Sequence, residues 1–147
     1  MKWHIKKFDE LTLNELYNIL KERTNIFVVE QNCPYPEIDG KDTQCFHLFA
    51  EENGDIVAYL RILPPGVSFQ EMALGRVIVK KEYRGLGLGK ELLRRGIEFA
   101  EKEMKEQKIK IAAQQYLTKF YGSFGFKISS ETYLEDGIPH VDMIYEK

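Results

Sequence analysis

Arg84-Gly85-Leu86-Gly87-Leu88-Gly89-Lys90 joins an apolar run, Met72 to Val79, to an amphipathic run that begins at Gly87 and continues to about Lys105. A strand that turns through glycines into a helix exposes the unpaired N–H groups of the first helical turn, where the helix also carries a positive partial charge. With no side chains in the way, a phosphate oxygen can approach that backbone. Arg84 and Lys90 flank the turn, and Lys80 to Arg95 holds six bases against two acids, a local excess of +4. A tight strand-to-helix turn would explain the glycines alone, but not the charge. The spacing also limits the ligand. A Walker loop needs Gly-x-x-x-x-Gly-Lys-Ser/Thr, yet Arg84 stands at the first glycine and Glu91 at the Mg-binding hydroxyl. A Rossmann fingerprint needs a third glycine at position 90 or 92, which are Lys90 and Leu92.

Working outward, Leu88, Leu92, Ile97 and Ala100 form the inward stripe of the helix, with Lys90, Glu91, Glu98, Glu101 and Lys102 outward. Lys110 to Ala113 then reads as a short strand, and a strand, helix, strand unit of this length is a crossover between parallel neighbours. Upstream, hairpin-length turns dominate: Cys45 to Glu51 and Ile56 to Leu63 flank Asn53-Gly54, a tight-turn pair. Trp3 to Phe8 reads as a first strand. Thr12 and Glu15 match a capping box, so a helix starts at Leu13, ends near Asn25, and turns Leu13, Leu16, Tyr17 and Leu20 toward a sheet. Glu30 to Gln44 reads as a long loop rich in acids, a segment type that often carries function. A short helix, about Leu117 to Ser123, precedes two last strands, Phe126 to Ser130 and Val141 to Tyr145, around the turn Glu135-Asp136-Gly137. The expected fold is α+β, a mixed and mostly antiparallel sheet with one βαβ crossover and flanking helices, forming a single domain over residues 1–147.

Composition agrees with that frame. The chain of 147 residues is 44% hydrophobic and 30% charged, with a mean hydropathy of −0.37 and a net charge of −2, so nothing draws it generally to nucleic acid or anionic lipid. No apolar window has the length of a signal peptide core or a membrane span. Cys33 and Cys45 are the only cysteines; they read as free thiols in a reducing cytoplasm, and no cluster has metal-ligand spacing.

Arg-x-x-Gly-x-Gly, at Arg84, Gly87 and Gly89, resembles the pyrophosphate loop of the GNAT superfamily of acyl-CoA-dependent N-acyltransferases, and the order of elements resembles that fold over nearly the whole chain. Phe120-Tyr121-Gly122-Ser123-Phe124-Gly125-Phe126 is similar to the family's Tyr-x-x-x-Gly-Phe segment. More narrowly, Phe27 to Tyr35, Asp39-Gly40 and Tyr133 to His140 resemble the ElaA-like branch.

The resemblance implies that acetyl-CoA is the acyl donor, with pantetheine along Val77, Ile78 and Val79 and pyrophosphate at Arg84 and the amides of Gly85, Leu86, Gly87, Leu88, Gly89 and Lys90. Gln114 stands where the family often has a cofactor-binding Asn, seven residues before Tyr121. Tyr121 is implied as the general acid for the leaving thiolate, a backbone N–H near Val77 as the oxyanion donor, and no metal is needed. A primary amine on a small molecule or a protein is the implied acceptor. Glu30, Glu71 and His140 are candidates for the base or for gripping a cationic substrate, although each residue type is more often structural or solvated. From Met1 to Ile56 eleven acids face six bases, which suggests a negatively charged mouth for the amine. Nucleic-acid and membrane partners are not expected, and the chain is expected to be a monomer or homodimer. The alternative is a non-catalytic acyl-CoA-binding regulatory module.

Overall fold

Largely apolar runs in the first half of the chain, several of them buried without a break, produce a meander of antiparallel strands in the computed structural model, which describes residues 1–147. β1 (Lys2–Lys7), β2 (Phe46–Glu52), β3 (Asp55–Leu63) and β4 (Met72–Val79) pair in that order, and the β2–β3 turn falls at Asn53-Gly54, both with positive φ. β5 (Lys108–Gln114) lies parallel to β4, and β8 (Ile138–Glu146) pairs antiparallel with β5 along its length. β6 (Lys127–Ile128) and β7 (Tyr133–Glu135) pair with β8. The sheet is thus mixed, with β4–β5 the one parallel pair, as the crossover requires.

α2 (Leu88–Lys102) makes that crossover and buries Leu92, Leu93, Gly96, Ile97 and Ala100 on the sheet. Gly96 allows the close approach: a Cβ there would meet Leu60 and Leu74 side chains at 3.4 Å. The main core joins this face to Leu48, Leu60, Ile62, Met72, Ile109 and Met143. α3 (Thr118–Gly122) follows a single turn of 3₁₀ helix at Gln115–Leu117 and covers the end of β5.

α1 (Leu13–Thr24) has the expected capping box, with Thr12 Oγ1 accepting from the Glu15 N–H and the Glu15 carboxylate from the Thr12 N–H. Its inward face differs from the expected one. Leu13 is 86% exposed and Tyr17 71%, whereas Ile19, Glu22 and Arg23 are buried. Helical spacing alone supports either stripe, and the polar partners waiting for Arg23 under the helix decide which one turns in. The helical backbone also continues past Thr24 as a π-helical segment, Asn25–Glu30, so the helical run extends beyond the expected end near Asn25 and reaches the start of the loop.

The C-terminal strands also differ. β6 has two residues, and the Glu135-Asp136-Gly137 turn closes a hairpin between β7 and β8, a pairing absent from the sequence reading. Asp136 (φ 51) and Gly137 (φ 77) supply the left-handed conformations of that turn.

Candidate active site

Only Met72 and Ala73 of β4 pair with β5, at Ile109 and Lys110, before the two parallel strands separate. The β4 edge beyond that point faces a cleft instead of a neighbour. β5 meanwhile follows β8 as far as Gln114 opposite His140. Register between β3 and β4 also shifts: Tyr59 lies opposite Ile78 and Arg61 opposite Gly75, leaving Arg76 and Val77 in a bulge against Leu60. Arg76 has φ 53, a left-handed conformation unusual in a strand. A bulge re-aims the N–H groups of a strand, and this one does so beside the gap.

The resulting cleft has a volume of about 770 Å³ and is lined by Val77, Ile78, Val79, Arg84, Gln114, Tyr121, His140 and Glu30, among others. An adjoining hollow of about 240 Å³ lies against Val79, Arg84, Gly85, Gly87, Leu88, Gly89, Lys90 and Phe120. It sits at the start of α2, whose N-cap, Gly87, has φ 79; Gly85 has φ 84. Both glycines serve the backbone conformation of the turn. Gly89 does not: its φ is ordinary, and a Cβ there would come to an unstrained 3.6 Å from Phe120. Leu86 is the exposed tip of the turn, outside the lining of this hollow. The bare helix N-terminus, the hollow and the flanking Arg84 and Lys90 fit a diphosphate, and the unpaired β4 edge fits an extended amide-bearing chain that pairs as an added strand would.

Tyr121 is 9% exposed and packs edge-on to Phe120 and Phe126, with ring centroids at 5.3 and 6.1 Å. Burial, with a smaller contribution from Tyr116, pushes its phenol up to about 12. The hydroxyl is therefore protonated at every pH near neutrality.

Not every expected residue is where the sequence suggested. Glu71 is outside the cleft lining. Glu30 lines the cleft, but its carboxylate accepts from Arg84 Nη2 at 3.0 Å, while Arg84 Nε donates to the Val79 carbonyl at 3.0 Å. Glu30 thus reaches Arg84, at the start of the glycine turn, from the wall of the cleft. Likewise, the acids of the long loop make no open negative mouth. Arg23 Nε bonds Glu37 at 2.6 Å and Arg23 Nη1 bonds Asp42 at 2.6 Å; Arg61 bonds Asp39 at 2.8 Å and Asp42 at 3.0 Å; Arg76 bonds Glu37 at 2.8 Å. Burial alone would raise the Asp39 and Asp42 carboxyls, but hydrogen bonds and charge from Arg61 and Arg23 outweigh it and hold both below the usual carboxylate range.

This network ties the loop to β3 and β4 and explains the bulge residue. The Arg76 guanidinium lies over the Phe27 and Tyr35 rings, 5.9 and 5.7 Å from their centroids, and Tyr35 hydroxyl donates to Glu37 at 2.6 Å. Arg61, Arg76, Asp39 and Tyr35 all line the cleft, as do Glu135 and Asp136 from the β7–β8 turn. Their sequence signal was available in part: Arg23 lies on one face of α1, Arg61 and Arg76 interrupt otherwise apolar strands, and buried cations require nearby acids.

A model of the GNAT acetyltransferase domain matches residues 15–147, and the chain belongs to that family. It is an acyltransferase fold built to take an acyl group from acyl-CoA. Within the family, the Escherichia coli protein ElaA is similar over almost the full length, 38% identical across 99% of this chain and 97% of ElaA, and its crystal structure superposes with a TM-score of 0.93. An acyl-CoA N-acyltransferase from Pseudomonas aeruginosa is 41% identical over 99% of both chains, also with a TM-score of 0.93. A UPF0039 protein of Schizosaccharomyces pombe is 43% identical over 96% of this chain and 94% of its own.

Proposed function

We propose that the chain works as one N-acetyltransferase domain, moving an acetyl group from acetyl-CoA directly to a primary amine. The observation that carries this reading is the continuity of the site: the glycine turn at α2, the unpaired β4 edge and the Tyr121 hydroxyl border two adjoining hollows. The similarity to an acyl-CoA N-acyltransferase supports nitrogen as the acceptor atom.

In this reading Arg84, Lys90 and the amides from Gly85 to Lys90 bind the pyrophosphate, while Val77, Ile78 and Val79 hydrogen-bond the pantetheine arm. Gln114 borders the arm from the β5 side. An N–H of the bulge near Val77 donates to the thioester oxygen, where negative charge grows as the amine attacks. Tyr121 donates to the departing sulfur. A phenol at about 12 is a weaker acid than a thiol of ~8.5, so Tyr121 stabilises the thiolate by a hydrogen bond as the C–S bond breaks.

Two measurements test this. Acetyl-CoA at saturating concentration should raise the melting temperature and slow amide exchange from Leu86 to Lys90, and a panel of primary amines should drive release of the CoA thiol. Binding without thiol release for any amine would favour the regulatory module; absence of both effects would remove the cofactor assignment.

A further inference from the structure

The proposed transfer leaves one role without an owner. A primary amine near pKa ~10.4 is mostly cationic at neutral pH; it must lose one proton before it can attack and a second as the amide forms. Of the three side chains that the sequence nominated, Glu71 is outside the cleft and Glu30 is paired with Arg84. His140 lines the cleft and is 8% exposed. Its Nδ1 lies 2.7 Å from the Ile138 carbonyl oxygen. That oxygen can only accept, so Nδ1 carries the hydrogen and the neutral ring keeps its lone pair on Nε2. Nε2 lies 3.5 Å from Glu135 Oε2, and the ring stacks on Tyr133 at 6.1 Å with a 24° interplanar angle. The β7–β8 hairpin fixes all three parts, because its two-residue turn brings Glu135 opposite Ile138 and Tyr133 opposite His140.

We propose that His140 Nε2 is the general base that takes the amine proton, and that Glu135 is a positioning residue that stabilises the imidazolium formed. The inference rests on the acyl-transfer reading above. In the step, the N–C bond forms while the C–S bond breaks and its electron pair leaves with sulfur. The cationic amine first gives one proton to Nε2, which passes it to solvent; once the N–C bond has formed, the second proton on nitrogen goes to Nε2, and the thiolate, hydrogen-bonded by Tyr121, departs or takes a proton from water. His140 then returns its proton to solvent through the exposed Glu135 side. The groups around His140 are Glu135 and Tyr133 of β7, Asp136 in the turn, whose carbonyl accepts from Cys33 Sγ, and the uncharged Gln114 across the β5–β8 ladder. Glu135 is the carboxylate in ion-pair range of the ring.

The test uses the full chain, acetyl-CoA and n-butylamine, with CoA thiol release measured from mildly acidic to alkaline pH. His140→Gln should lower kcat by ~10²-fold while acetyl-CoA affinity stays within about twofold. Glu135→Gln should lower kcat by a smaller factor at unchanged acetyl-CoA affinity, because the imidazolium formed in the step loses the carboxylate beside it. Retention of wild-type kcat in His140→Gln would overturn the assignment. Nitrogen NMR of the imidazole gives a readout independent of turnover: in the neutral ring Nδ1 should carry the hydrogen and Nε2 the lone pair. An Nε2–H tautomer sinks the base assignment even with a chain that binds acetyl-CoA. Loss of acetyl-CoA binding in the wild type sinks the acyl-transfer reading instead.

Discussion

At the residue scale, burial and pairing separate the side chains that face the cleft. Tyr121 is held neutral by its surroundings and does not use its hydroxyl in the fold, so Tyr121→Phe should keep acetyl-CoA affinity and lower kcat by ~10²-fold, read by calorimetry and steady-state kinetics. Glu30 takes one Nη2 hydrogen of Arg84 and offers it a carboxylate that competes with a phosphate for the guanidinium. Glu30→Gln removes that competitor and should tighten CoA binding by up to about fivefold, the equivalent of an exposed ion pair worth ~1 kcal/mol; weaker binding would show that Glu30 instead holds Arg84 in its binding pose. Tyr121 and the glycine turn were legible in the sequence because their spacing is local. The company kept by Glu30 was not, since its partner lies in a segment far along the chain.

At the scale of elements, the cleft depends on how the loop after α1 is attached to β3 and β4. Arg23 is fully buried and bonds both Glu37 and Asp42. Replacing it with Met leaves two buried carboxylates short of a cation, and Arg23→Met should destabilise the fold by ~3–5 kcal/mol in denaturant titration. The same anchoring packs around Arg76, whose left-handed conformation marks the bulge beside the gap. Helix boundaries and the crossover were readable from periodicity and capping. The face of α1 was not, because Leu13, Tyr17 and Leu20 make as good a stripe as Ile19 and Arg23 until the acids beneath the helix are known. β7 escaped notice for a related reason: three residues are too few to show alternation, and the strand exists through its pairing with β8.

For the whole molecule, pH is the informative variable. His47 is buried; its Nε2 lies 2.9 Å from the Asp42 carbonyl and its Nδ1 2.6 Å from Tyr59 hydroxyl, so the neutral ring donates to the carbonyl and accepts from the phenol. Burial, opposed in part by Asp42, lowers its tendency to protonate. The unfolded chain therefore binds the extra proton more readily, and the stability contributed by His47 is present above ~6.5 and is lost as pH falls below that value. Asp39 and Asp42 are likewise depressed, so their contribution holds above ~3.9 and is lost on further acidification. The melting temperature should fall in two stages, and His47→Gln should remove the first while leaving the second. A single acidic stage in the wild type would contradict the neutral buried His47.

What the sequence determined by itself was whatever short-range order encodes: the capped start of α1, the Asn53-Gly54 hairpin, the crossover helix, the glycine turn and the family they define. Charge was the quantity it misjudged. The +4 cluster near the glycine turn does border an open hollow, but the eleven acids against six bases of the first segment do not make a second mouth, because Glu37, Asp39 and Asp42 are held by Arg23, Arg61 and Arg76. Only the tertiary structure could decide this. Net charge along a chain adds residues that are neighbours in sequence, whereas ionic energy depends on distances in space, and folding brought two of those arginines in from β3 and β4.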